Sequence, residues 1–161
     1  HRHDGGEEFI VLGGVFSDQH GDFGLGMYIR NPIGSEHQPS SKVGCTIFVK
    51  LSQFDPEDQA FVRLDTATGT WMPGQAEGLS VLPLHEYGPE RIALVKWQPG
   101  TRFQEHAHPG GEEILVLDGV FEDEFGTYEQ GTWLRNPPES HHTPFSRQGC
   151  TIYVKTGHHM P

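Results

Sequence analysis

The sequence predicts an all-β protein built of two similar domains in tandem. Three features predict it: a long internal repeat, many short strand-like runs between turns, and no sustained helical stripe. Residues 1–50 align with residues 106–155 at a constant offset of 105, without a gap, with 27 identities in 50 positions. HRHDGGEEFIVLGGVF lies over HAHPGGEEILVLDGVF, and RNPIGSEHQPSSKVGCTIFVK lies over RNPPESHHTPFSRQGCTIYVK. A unit of that length repeated twice means two domains of one fold, because solenoid repeats are shorter and more numerous.

The strand runs follow in order. EEFIVLGG (7–14), CTIFVK (45–50), AFVRLD (60–65), RIALVKW (91–97), EEILVLDG (112–119) and CTIYVK (150–155) are rich in β-branched or aromatic residues. Asp4-Gly5-Gly6, Pro109-Gly110-Gly111 and Gln98-Pro99-Gly100 punctuate them as turns, and MPGQAEG (72–78) is a further turn. With 21 glycines, 12 prolines and no 3.6-residue apolar stripe, helix content should be low. The expected organisation is a first domain over 1–51, a polar link over 52–59 and a second domain over 60–161. In the second copy about 45 residues of strand and turn precede the repeat, so the native chain is expected to extend upstream of His1; a barrel lacking its first strands would expose unpaired edges.

Composition excludes some partners. Eleven Lys and Arg stand against 22 Asp and Glu, a formal charge of −11. Nucleic acid and anionic membrane surfaces are both bound through basic residues, so neither is expected. No apolar run approaches the roughly 20 residues that span a bilayer. Two cysteines, Cys45 and Cys150, make no disulfide framework and suit a reducing, cytoplasmic setting.

Histidine, at 11 residues, is the outlier. The first copy carries His1-x-His3-x3-Glu7 and then His37; the second carries His106-x-His108-x3-Glu112 and then His142. In a strand, residues i and i+2 face the same way, so each H-x-H pair projects together into a barrel interior. After the turn the chain returns with a glutamate that can face the pair, and the last histidine arrives from a later strand. Three imidazoles and one carboxylate suit Zn, Fe, Mn, Ni or Cu better than Ca or Mg. Four such ligands either close a tetrahedral zinc site or leave positions open at a higher coordination number. The ligand types recur while their surroundings diverge: Asp4 becomes Pro109, Ser40 becomes Phe145 and Glu36 becomes His141.

Neighbouring residues are assigned simpler roles. Glu8 and Glu113 should point to the opposite strand face as surface or hydrogen-bonding residues. Arg30-Asn31-Pro32 and Arg135-Asn136-Pro137 read as turns whose Arg pairs an acidic neighbour, with an anion site at the barrel mouth as the functional alternative. Cys45 and Cys150 read as buried structural thiols. His141 is a bystander, and His158-His159 a surface pair.

These residues resemble the cupin superfamily, whose first motif reads H-x-H-x(3,4)-E-x6-G; Glu7 to Gly14 and Glu112 to Gly119 both fit its tail. Two linked copies look like a bicupin. HxHxGGEE, RNPxxSxHxP and GCTIxVK further resemble the cupin-like domain of the ChrR family, zinc-dependent anti-sigma factors of the bacterial oxidative-stress response. The resemblance implies tandem jelly-roll β-barrels, the first lacking its N-terminal strands in this sequence. It implies metal ligands at His1, His3, Glu7, His37, His106, His108, Glu112 and His142. In that family a separate N-terminal helical domain binds the sigma factor, and these residues contain no counterpart.

The leading expectation is a regulatory or sensing bicupin holding one divalent metal per domain, zinc first and Fe, Mn or Ni as alternatives, with enzymatic activity left open. Its partners would be a sigma factor or another protein, a small ligand in the barrel, and a second copy as homodimer. The alternative is a metal-dependent dioxygenase or isomerase acting on a small molecule; a third reading is a storage-type cupin with vestigial sites.

Overall fold

The computed structural model describes residues 1–158. The chain divides into two compact units, residues 1–69 and residues 70 onward. Every regular element among the described residues is a β-strand, as the missing helical stripe predicts. Among the described residues no helix is long and apolar enough to cross a membrane.

The first unit contains β1 (Glu7–Gly14), β2 (Phe16–Asp18), β3 (Gly21–Phe23), β4 (Met27–Asn31), β5 (Cys45–Leu51) and β6 (Val62–Asp65). Its sheet runs β5-β1-β4-β6, with β2 and β3 forming a separate hairpin. Alternation along β1 sends Glu7, Phe9 and Val11 to one face and Glu8 and Ile10 to the other. Phe9 and Val11 join Phe16, Phe23 and Ile29 in a buried core.

The second unit contains β7 (Met72–Pro73), β8 (Leu79–Tyr87), β9 (Glu90–Trp97), β10 (Thr101–Arg102), β11 (His106–His108) and β12 (Glu112–Asp123). It continues with β13 (Gly126–Glu129), β14 (Trp133–Asn136), β15 (Ser140–His142), β16 (Phe145–Ser146) and β17 (Cys150–Thr156). Its main sheet runs β10-β16-β12-β17-β9-β8-β7, and β13 and β14 also pair with β12. Trp97, Ile114, Val116, Phe121, Cys150 and Ile152 form its core.

The repeat is visible in the hydrogen-bonded register. Glu7 lies opposite Asn31 and Leu51, as Glu112 lies opposite Asn136 and Thr156. A bulge falls between Val11 and Gly13 and again between Val116 and Asp118. Just beyond it, Gly14 (φ 69°) and Gly119 (φ 73°) are left-handed, and a Cβ at either would strike the carbonyl oxygen of Gly44 or Gly149. That contact explains the glycine at the end of the motif.

Two segments sit elsewhere than expected. The strand over 62–65, expected to open the second domain, pairs with β4 of the first unit, Arg30 opposite Val62. There Arg63 donates to the Arg30 carbonyl and to Asn31 Oδ1. The 52–59 stretch, expected as a polar link, packs against the first unit: Phe54 and Asp58 are buried, and Ser52 N–H donates to the Gly6 carbonyl. Hydrogen-bonding demand from β4's outer edge and from buried Arg30 draws both segments in.

Candidate metal centre

Each histidine cluster is assembled from two ends of the repeat. In the second unit, β11 and β15 pair so that His106 lies opposite His142 and His108 opposite Ser140. In the first unit the same place is held by one bridge, Arg2 opposite Glu36, with His3 N–H donating to the Ser35 carbonyl and His37 N–H to the His1 carbonyl. The i, i+2 geometry then aims both rings of each H-x-H inward.

The imidazoles converge. In the first unit the Nε2 atoms of His1, His3 and His37 form a triangle with edges of 3.1, 2.9 and 3.2 Å. Glu7 Oε2 lies 3.2 Å from His3 Nε2 and 3.5 Å from His37 Nε2. In the second unit His106, His108, Glu112 and His142 bring one donor atom each within 4.8 Å of one another. Glu112 Oε1 lies 3.4 Å from His108 Nε2 and 3.6 Å from His142 Nε2. Seven of the eight residues singled out from the sequence therefore converge at two clusters, His1, His3 and His37 in one and His106, His108, Glu112 and His142 in the other, with Glu7 beside His3 and His37. His1 is exposed and His106 half-buried, while the other six are buried.

The protonation pattern argues that these nitrogens face a cation. His37 Nδ1 lies 3.2 Å from Asp18 Oδ2, and His142 Nδ1 lies 3.2 Å from Asp123 Oδ2. His106 Nδ1 lies 3.0 Å from the Gln104 carbonyl. A carboxylate or carbonyl only accepts, so Nδ1 carries the proton in each neutral ring and Nε2 presents its lone pair. His108 Nε2 and His142 Nε2 are buried without a hydrogen-bond partner among the described residues. In the first unit the Nε2 atoms stand about 3 Å apart, close to the mutual distance of atoms each about 2.0–2.1 Å from one zinc ion. In the second the four donor atoms lie within 4.8 Å of one another, and a cation among them would satisfy the buried lone pairs.

Burial and mutual repulsion shape the ionisation of the second cluster. Burial, then the neighbouring imidazoles of His142, His106 and His141, holds His108 down at about 4. Burial pushes the Glu112 carboxyl up to about 7, against the Asn136 hydrogen bond. Burial also lowers His142, against the pull of Asp123. In the first unit burial lowers His3, opposed by Glu7.

Sequence reasoning missed two pairs of residues. Asp18 and Asp123 orient the last histidine, and Asn31 and Asn136 donate to Glu7 Oε2 and Glu112 Oε1 at 2.9 Å. The asparagines thus steer the carboxylates as well as shaping a turn. Identity at the 105-residue offset marks all four positions, yet only the fold shows their targets. Such outer partners fix ring tautomer and raise ligand basicity.

Other assignments change. Glu8 and Glu113 avoid the clusters, as alternation predicts, but they are buried rather than surface residues. Glu8 accepts from Tyr28 Oη and from Arg30, and Glu113 lies 3.1 Å from His158 Nε2. The His158 side chain is accordingly covered, while His159 lies outside the described residues. Arg30 is no anion site at a barrel mouth: it is buried between Glu8 and Asp58, with its guanidinium 3.7 Å over the Phe54 ring. Arg135 and His141 are exposed. Cys150 is buried, its thiol pushed up to about 11 by burial, whereas Cys45 is exposed. The expected burial of both thiols fails at Cys45 because β5 ends its sheet, whereas β9 pairs with β17 and sets Trp97 opposite Cys150.

A family model for the ChrR cupin-like domain matches residues 1–55 and 59–160. The chain belongs to the ChrR cupin-like family. Among solved structures, it is similar to ChrR of Rhodobacter sphaeroides, seen as an anti-sigma factor in complex with SigE. That match has 26% identity, a TM-score of 0.51, and covers 56% of this chain and 51% of the other. A Nostoc punctiforme protein named as a candidate dioxygenase matches with 16% identity and a TM-score of 0.77, over 94% of this chain and 61% of its own. Ylba of Escherichia coli matches with 16% identity and a TM-score of 0.74, over 99% of this chain and 71% of its own. The two low-identity matches show the cupin fold alone. The chain spans about half of the ChrR chain and about three fifths of the Nostoc protein. No curated protein matches it in sequence.

Proposed function

We propose that this ChrR-like cupin is a metal-dependent sensor that holds one divalent ion in each unit and signals to a protein partner. His1, His3, Glu7 and His37 hold the first ion; His106, His108, Glu112 and His142 hold the second. The observation that carries the reading is the convergence of imidazole Nε2 atoms on a carboxylate, with Asp18, Asp123 and the Gln104 carbonyl at the opposite ring nitrogens. Zinc is the first choice of metal, with Fe, Mn and Ni as alternatives. Membership of the ChrR family supports a regulatory role, with a sigma factor as the first partner to test. A cytoplasmic setting and a homodimer belong to the same reading.

Two measurements test it. Elemental analysis of the purified chain should find two equivalents of one divalent metal, and zinc if the site serves sensing. Size-exclusion chromatography of the metal-loaded protein with a sigma factor should give a complex that dissociates on oxidation or metal removal. A metal-free protein whose histidines titrate freely would end the reading.

One observation favours a second reading, an oxygen-dependent enzyme of small molecules: a cavity adjoins the second cluster, lined in part by His106, His108, Glu112 and His142. In that case the ion would act as a Lewis acid and template for the bound molecule. Oxygen uptake by iron-loaded protein with small oxygenated substrates would select this reading over the first.

A further inference from the structure

One cation of the first unit stands close to its histidine cluster without belonging to it. Arg63 lies on β6, opposite Ile29 of β4. The second unit offers no such strand: β14, the counterpart of β4, pairs only with β12 among the described residues. The Arg63 guanidinium lies 3.9 Å from the centre of the Phe61 ring and 5.5 Å from that of Phe23. Its partners are an amide and two carbonyls rather than a carboxylate. Nη1 donates to the Arg30 and Val62 carbonyls, and Nη2 donates to Asn31 Oδ1 at 2.6 Å. Burial draws the Arg63 pKa below its usual value, and the negative charges of Asp18 and Glu7 oppose the fall. The guanidinium therefore sits within the field of both acids of the first cluster.

The Asn31 amide is the link. An amide presents an acceptor on one side and donors on the other, and its neighbours decide which side faces which way. A guanidinium only donates, so Oδ1 must face Arg63. Nδ2 is thereby turned to Glu7, donating to Oε2 at 2.9 Å. That carboxylate oxygen is the one 3.2 Å from His3 Nε2. Asn31 is 2 % exposed and is held at both ends of its amide. Asn136 makes the matching bond to Glu112 but is half-buried, with no strand beyond β14 to bring a guanidinium to its Oδ1.

We propose that Arg63 is a positioning residue for the first metal centre: by fixing the Asn31 amide it holds the Glu7 carboxylate toward the ion, a restraint that the described residues of the second unit do not supply. This rests on the metal-binding reading of the clusters and says what makes the two centres unequal.

The test uses the full chain and Co(II). His106→Ala isolates the first centre and His3→Ala the second; cobalt affinity is read by chelator competition and ligand geometry by the visible spectrum. In the first background Arg63→Met should weaken cobalt binding by about tenfold or more and shift its visible bands. In the second background the same change should alter neither. Asn31→Leu should weaken the first centre at least as much. Adding Arg63→Met to Asn31→Leu should then cost less than about twofold more, because the link is already cut. A purely structural role would give the Arg63→Met loss with Asn31 in place or gone. Should the methionine variant fail to fold, Arg63→Lys takes its place: it keeps the charge and the stem but not the planar fork, and should lose about threefold or more. Absence of cobalt in both backgrounds would sink the metal-binding reading itself. Bound cobalt with unchanged affinity and bands in the Arg63 variant would overturn this inference alone, as would an equal loss at both centres or a loss independent of Asn31.

Discussion

The two units carry the same four side chains on different frames. In the second unit, β9 lies along β17 over seven paired positions and β8 lies beyond it. In the first, β5 is the last strand of its sheet and β6 is added at the other side. The consequences are local. Cys150 is covered and Cys45 is not; Val154 faces a cavity and Val49 faces solvent. Arginine at matching positions diverges too, with Arg30 sealed between two carboxylates and Arg135 exposed. Yet the donor triangle survives in both. Convergence of the histidines is therefore a property of the repeated segment itself, whereas the walled cavity in the second unit involves the additional strands.

The sharpest way to break this comparison is at the metal. His106→Ala should remove one of two metal equivalents and leave the other, read by elemental analysis; His3→Ala should do the same for the first unit. An unchanged metal content in either would show that the cluster was misassigned. Thiol labelling sharpens it next. With its pKa near 11, about one Cys150 in a thousand is thiolate at pH 8, and the thiolate is the reactive form. A maleimide or disulfide reagent should therefore modify Cys45 first, and Cys150 only as pH climbs toward 11 or the unit unfolds. Equal rates at the two thiols would deny the difference in cover.

Stability should separate the arginines. Arg30→Met removes the buried guanidinium that pairs with Glu8 and Asp58 and should cost about 3–5 kcal/mol in denaturant unfolding. Arg135→Met, at an exposed position, should stay within about 0.5 kcal/mol. The smallest effect is expected behind the rings. Asp18→Asn and Asp123→Asn should each weaken metal binding in their own unit by about 10–100-fold without removing it, measured by competition with a chelator.

Much of this was legible in advance. The offset of 105 exposed the duplication, and H-x-H followed by glutamate pointed to side chains that the fold brings close together, because strand alternation is a local rule that sequence obeys directly. Glu8 was excluded from the cluster by the same rule. Its burial was not legible, since that depends on Arg30 lying directly across in β4. The 52–59 segment misled for a related reason: its polar residues read as a link, but Asp58 is polar because it pairs with Arg30 in the first unit.

The sequence by itself determined the all-β class and the duplication, and pointed to the histidines that the fold brings together, since periodicity and repeat are carried by neighbours along the chain. Only the tertiary structure decided what surrounds them: which aspartates orient the rings, which thiol is covered, and which cluster opens on an apolar cavity. Those depend on contacts between distant strands, and identical local sequences acquire different environments when different strands lie against them.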